Sequence, residues 1–236
     1  METLEGEVYS HDNWEEENAK FRDLQKQKNA FTYDYLSLMK AMEFNKAEAP
    51  SILDIGAGRG GFLLMAKASG FDNVTGLDIN PVNKPQLEKF DIPLIVGHVD
   101  SPELDTYDVI NAQHVLEHVA DPRSFLLRVK KLLKPNGVAH IVVPNEGGIV
   151  AKQKSFLSKL GVKKKPFKHL TPWHHFFFFD KKSFPFVLED SGFEILYMGT
   201  RNNIKSKGLL YEFVHKIFDA LKWNTHLEVV VRPVRK

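Results

Sequence analysis

The chain has 236 residues, 43% of them apolar, 26% charged and none cysteine. Its length and apolar share suit one full core with an added cap rather than two complete domains, and the lack of cysteine rules out disulfides, thiolate metal sites and a cysteine nucleophile together. The formal net charge of +2 argues against a chain given over to nucleic-acid binding, yet it hides a strong asymmetry. Residues 1–18 carry seven acids and no Lys or Arg, whereas 146–173 carry seven lysines against one acid and 201–236 eight basic residues against three acids. A basic rim of this kind attracts anionic substrates. No apolar run approaches the length of a membrane span, and the acidic start is the opposite of a signal peptide, so the expectation is a cytoplasmic protein without stable membrane insertion.

Phe21, Leu24, Phe31, Tyr35, Leu38 and Met42 recur at helical spacings, which predicts an amphipathic helix ending before Pro50 and a helical cap over 1–48. From there short apolar runs alternate with helical stretches. Strands are predicted at 51–55, 73–78, 94–96, 107–111 and 137–143, with helices at 61–69, 85–90 and, after Asp121 as N-cap and Pro122 at the first helical position, up to Leu133. The turn "KPNG", 134–137, closes that last helix. Strand and helix in alternation predict a doubly wound, mostly parallel sheet over 49–236. Residues 146–172 interrupt the alternation. Ile149, Phe156, Leu157 and Leu160 there predict one side of a short, lysine-studded helix, and the segment reads as a basic lid insertion. The alternation resumes with a helix at 183–191 stopped by Gly192, a strand at 193–198, a helix at 209–221 and a strand at 225–232.

The stretch "SILDIGAGRGGFL", 51–63, carries the chemistry. Gly56, Gly58 and Gly61 fit a dinucleotide fingerprint, while Asp54, Gly56, Gly58 and Gly60 fit the loop of an S-adenosylmethionine site. In either case missing side chains let backbone approach a ligand at a helix N-terminus. Asp54 favours the second reading, because a carboxylate there can reach the ammonium end of an amino-acid ligand directly or through water and would repel a pyrophosphate. Asp78, in "GLDINP", can accept from both ribose hydroxyls, and Asp100, in "VGHVDS", from the exocyclic amine of adenine.

The set "ILDIGAGRGGFL", "GLDINP", "YDVINAQHVLEHVADP", "LKPNGVAHIVVPN" and "HHFFFFDKKSFPFVLEDSGFEIL" resembles the class I S-adenosylmethionine-dependent methyltransferases. Within them it is most similar to the small-molecule O-methyltransferases of the ubiquinone-pathway group. The resemblance covers about residues 50–198. It implies a Rossmann-like, seven-stranded sheet with an antiparallel last strand, and S-adenosylmethionine as cofactor across the C-terminal strand ends. It matches Gly56 and Gly58 to the loop glycines, Asp78 to the ribose acid and Gln113 to the position flanking the cofactor after the fourth strand; Ala57 and Ile79 are expected among the cofactor-binding residues as well. The family's N-terminal cofactor contact has no clear match here.

Such a reaction needs alignment and exclusion of water, and a high-pKa hydroxyl acceptor is helped by a base near neutrality, for which imidazole is suited. His114, His174 and His175 are the candidates. His114 and His118 flank Glu117 in "HVLEH"; His98 lies towards the adenine end; His11, His140, His169, His215 and His226 have no motif context. Some relatives carry E-x-x-E-H where this chain has H-x-x-E-H, and use a divalent ion. One carboxylate among imidazoles suits a transition metal better than magnesium, but residues at a pocket rim need no ion to explain them, and no metal is expected. The overall expectation is O-methylation of a small anionic, glycosylated or lipid-like molecule, with no nucleic-acid partner and a homodimer as one assembly. An RNA or protein methyltransferase, or a non-catalytic cofactor-binding protein, is the alternative.

Overall fold

A computed structural model describes residues 32–160, 175–201, 217 and 221–234. In chain order the elements are α1 (Thr32–Phe44), β1 (Ile52–Ile55), α2 (Gly61–Ala68), β2 (Val74–Asp78), α3 (Lys84–Glu88), β3 (Leu94–Val96), β4 (Tyr107–Gln113), a 3-10 turn (Leu116–His118), α4 (Pro122–Leu132), β5 (Leu133–Pro144), α5 (Ile149–Lys159), α6 (Ser183–Asp190), β6 (Phe193–Arg201) and β7 (His226–Pro233). The strands form one seven-stranded sheet in the order β3-β2-β1-β4-β5-β7-β6. Only β7 runs antiparallel, against both β5 and β6, as the last strand was expected to. The order reverses at β1, so the cleft between the C-terminal ends of β1 and β4 is where a doubly wound sheet holds its ligand.

Alternate residues of each strand face opposite sides. Leu53, Ile55, Ile110, Ala139, Ile141, Leu227 and Val229 turn to the side covered by α4 and α6, where Phe125, Phe184 and Leu188 close the core. Ile52, Val109, Val138 and Val230 turn to the other, packed with Leu38 of α1 and Phe62 and Leu63 of α2. Local chemistry fixes the ends of several elements. The Asp121 carboxylate accepts from the Ser124 amide at 3.0 Å, capping α4, and Gly192, at φ 77°, carries the chain out of α6.

Two expectations are modified. The "KPNG" residues do not precede the strand but lie within it: Tyr107 pairs with Leu133 and Val109 with Val138, so the four residues between bulge out of the ladder. Lys134 Nζ, 2.7 Å from the Asp108 carboxylate, pins the bulge, and a Cβ on Gly137 would stand 2.8 Å from the Tyr107 carbonyl. The fourth strand also runs two residues further than predicted, to Gln113. The lysine-studded helix of the insertion is present as α5. The rest of the insertion beyond Leu160, the helical cap before Thr32 and nearly all of the helix expected at 209–221 lie outside the described residues. Among the described residues no helix is long and apolar enough to cross a membrane.

Candidate active site

A cavity of about 790 Å³ opens at the C-terminal ends of β1 to β4, within the size range of small-molecule sites. Its floor is Ile55 and Gly56 at the end of β1 and Leu77, Asp78 and Ile79 at the end of β2; one end is closed by Gly97 to Asp100 and Arg128, the other by His114, Val115, His118 and Phe176. The β1–α2 loop turns through Gly56, Gly58 and Gly60, all at positive φ. A Cβ on Gly56 would sit 2.6 Å from Val115 Cγ2, so the glycine lets this turn lie against the β4 end. Asp78 steadies the loop: one carboxylate oxygen accepts from the Gly58 amide at 2.7 Å and the other from the Asn80 amide at 2.9 Å. Each oxygen has a further lone pair, so two ribose hydroxyls remain within its capacity. Ile79, 70% exposed, offers an apolar wall beside it.

Other predicted residues are placed less directly. Asp100 lines the cavity, but its carboxylate is held by the guanidinium of Arg128. Ala57 is buried within the loop. Asp54 is only 4% exposed and does not line the cavity; its Oδ1 accepts from Asn111 Nδ2 at 2.6 Å. Burial pushes the Asp54 carboxyl up to about 8; the Asn111 hydrogen bond opposes this and the nearby Asp34 and Asp78 add to it. Gln113 turns to the same side of the sheet, accepting from Arg201 and donating to Asp34 at 3.5 Å.

At the far end of the cavity, His114 takes a left-handed φ of 56°, a conformation His tolerates better than most residues. Its Nδ1 lies 3.2 Å from Glu117 Oε1. Glu117 is 1% exposed, and its second oxygen has no hydrogen-bond partner. The chain after the insertion hooks onto this turn, the Phe176 amide donating to the Glu117 carbonyl at 2.8 Å. This brings His175 edge-on to His118, with ring centres 4.8 Å apart. Glu117, His118 and His175 each offer a ligand atom, all within 4.8 Å of one another, a donor set suited to a divalent transition ion. His174 lies outside the described residues.

The sequence reading missed His226, whose ring meets that of His114 at 4.9 Å. Burial, with the charges of His114 and Arg201, pushes His226 down to about 4. It also missed the buried Asn111, His140 and Glu228. The available signal was a polar residue inside an otherwise apolar strand, as in "VINA", "AHIVV" and "HLEVVV".

A sequence model of the methyltransferase domain matches residues 10–197. The chain belongs to the methyltransferase family, the class I S-adenosylmethionine-dependent enzymes. It is 32% identical over 140 residues to the ubiquinone biosynthesis O-methyltransferase of Roseobacter denitrificans, covering 53% of this chain and 56% of that one. A second protein of that description, from Actinobacillus pleuropneumoniae, is 30% identical over 138 residues with the same coverage. The chain thus spans about half the length of the curated relatives it matches. Among solved structures, the fold is similar to that in a complex of a Haloferax volcanii methyltransferase activator with its methyltransferase, with a TM-score of 0.63, 14% identity, and 92% and 95% of the two chains covered. It is also similar to the 1,6-didemethyltoxoflavin-N1-methyltransferase of Burkholderia thailandensis, solved with S-adenosylhomocysteine, with a TM-score of 0.59, 15% identity, and 97% and 90% covered. The family's cofactor is S-adenosylmethionine. The cavity suits it: an acid with spare acceptor capacity lies beside apolar walls, and the loop has positive-φ glycines, without side chains, at 56, 58 and 60.

Proposed function

We propose that this protein methylates a hydroxyl oxygen of a small molecule. The observation that carries the reading is the His114–Glu117–His118 group at the far end of the cofactor cavity, joined by His175 across the hooked chain. The kinship with proteins described as O-methyltransferases supports it.

When bound, S-adenosylmethionine supplies a methyl group on a positively charged sulfur. The protein's part is to place, to dehydrate and to remove a proton. Asp78 and the glycine loop would hold the ribose and the amino-acid end, Ile79 and Val99 would flank the adenine, and Phe176 would exclude water from the acceptor's side. With its Nδ1–H donated to the Glu117 carboxylate, a neutral His114 has Nε2 as its basic nitrogen. Glu117 thereby fixes the tautomer and balances the imidazolium that forms when the acceptor's hydroxyl proton arrives.

The unpartnered second oxygen of Glu117 supports a variant of this reading in which Glu117, His118 and His175 hold a divalent ion that binds the acceptor. Incubation of the protein with methyl-labelled cofactor and a fractionated cell extract tests both. Label is expected in a small molecule as an ether; label in RNA or protein contradicts the reading. With the acceptor in hand, His114→Ala is expected to lower turnover by about 10²- to 10⁴-fold with cofactor affinity intact. Activity lost to a chelator and restored by a divalent ion would select the metal-assisted form.

A further inference from the structure

A row of polar side chains crosses the sheet beneath α1, and of its members only Asp54, expected to meet the ammonium end of the cofactor directly or through water, has so far been given a role. Asp54 on β1 pairs in register with Asn111 on β4, and Asn111 with His140 on β5; Glu228 on β7 completes the row diagonally. The contacts are short: Asp54 Oδ1 to Asn111 Nδ2 at 2.6 Å, Asn111 Oδ1 to His140 Nδ1 at 2.8 Å, and His140 Nε2 to Glu228 Oε1 at 2.8 Å. All four residues are buried. Around them, Asp34 of α1 and Asp78 face Asp54, while Arg201 of β6 and Lys40 of α1 face His140 and Glu228.

A buried polar group without a partner is costly, so the row must keep every contact hydrogen-bonded. With Glu228 ionised and one proton to place, two arrangements do this. In the first, a protonated Asp54 donates to the Asn111 carbonyl, the Asn111 amide donates to His140 Nδ1, and Nε2–H donates to Glu228. In the second, Asp54 is a carboxylate accepting from the Asn111 amide, the Asn111 carbonyl accepts from Nδ1–H, and His140 is an imidazolium against Glu228. The Asn111 amide stands here as in the second arrangement, with Nδ2 towards Asp54 and Oδ1 towards His140; its two ends are isosteric, so the turned-over amide of the first fits the same separations. The two arrangements hold the same number of protons: the proton that leaves the Asp54 carboxyl ends on His140 Nδ1, and the Asn111 amide turns over.

We propose that His140 and Glu228 are positioning residues for the cofactor site: acting through Asn111, they take up the proton that Asp54 gives up when the ammonium group of the cofactor binds, so the carboxylate ionises without losing a proton to solvent. This rests on the cofactor reading above. Burial, which raises Asp54 and lowers His140, favours the first arrangement in the free protein; burial also raises Glu228, but the His140 hydrogen bond and the charges of His140, Arg201 and Lys40 outweigh it and hold Glu228 lowered, hence ionised. A cation at Asp54 favours the second.

Calorimetric titration with S-adenosylhomocysteine at about pH 6.5, in buffers of different ionisation enthalpy, counts the protons exchanged on binding. The wild type is expected to exchange close to none. His140→Gln, and independently Glu228→Gln, should release about one, and their affinity should then rise about tenfold per pH unit between about pH 6 and 7.5. Side-chain nitrogen-15 shifts of His140, assigned from the loss of its signals in His140→Gln, should pass from a neutral ring with one protonated nitrogen to an imidazolium on saturation. About one proton released by the wild type, or an unchanged His140 ring, would overturn the relay while leaving the cofactor reading intact. No binding by the wild type would overturn both.

Discussion

The two faces of the sheet are drawn from the same strands and differ only in which alternate residues they take. One face sets Leu53, Ile110, Ala139, Ile141 and Val229 against α4 and α6 in one apolar cluster. The other sets Asp54, Asn111, His140 and Glu228, all buried, among Ile52, Val109, Val138 and Val230. Burial of apolar area is a general source of stability, whereas buried acids and imidazoles are tolerated only in a complete network. The first face accordingly holds the sheet together, and the second adapts its charge to what sits above it.

Substitutions on the two faces should therefore fail in different ways. Phe184, fully buried on α6, is the clearest test of the apolar side. Phe184→Ala is expected to cost about 3–5 kcal/mol in denaturant unfolding and to leave the affinity of the folded fraction for S-adenosylhomocysteine unchanged. A comparable loss of affinity would show that the faces are not separable.

A smaller effect is expected from His226, next to the polar row on β7. Its folded pKa of about 4 lies below the ordinary 6.5. The unfolded chain therefore binds the proton first as pH falls, and stability is lost between about 6.5 and 4, by no more than about 3 kcal/mol. Asp54, raised from 3.8 to about 8, acts with the opposite slope: its stabilising contribution is complete below its unfolded pKa and is lost as pH rises towards 8. The comparison is consequently made between wild type and His226→Gln. The variant's advantage should grow on acidification through that window and be constant above it; parallel curves would remove His226 from the acid side of the stability profile.

The contrast between the faces also explains what was legible in the sequence. The β1–α2 glycines, Asp78 and the Asp121 cap act on backbone within a few turns or the next strand, so their spacing carries their role. The polar row does not work this way: its hydrogen bonds join residues 57, 29 and 88 positions apart, and each member alone is one polar residue in an apolar strand. Asp54 was singled out from its motif, but its burial and its neighbours, Asn111 of β4 and Asp34 of α1, come from distant parts of the chain. Asp100 was read as open to adenine because Arg128, which holds it, comes from α4. Likewise the meeting of His175 with His118 depends on the hook of Phe176 onto Glu117, which no local pattern announces.

The most direct test of the cavity as an S-adenosylmethionine site is calorimetric titration of wild type and Asp78→Ala with S-adenosylhomocysteine and, separately, with NAD. The wild type is expected to bind S-adenosylhomocysteine and give no binding heat with NAD, and Asp78→Ala to bind more weakly by about 1–3 kcal/mol, the cost of losing charged hydrogen bonds to the ribose. Binding of NAD in preference to S-adenosylhomocysteine, or an Asp78→Ala variant with undiminished affinity, would contradict it.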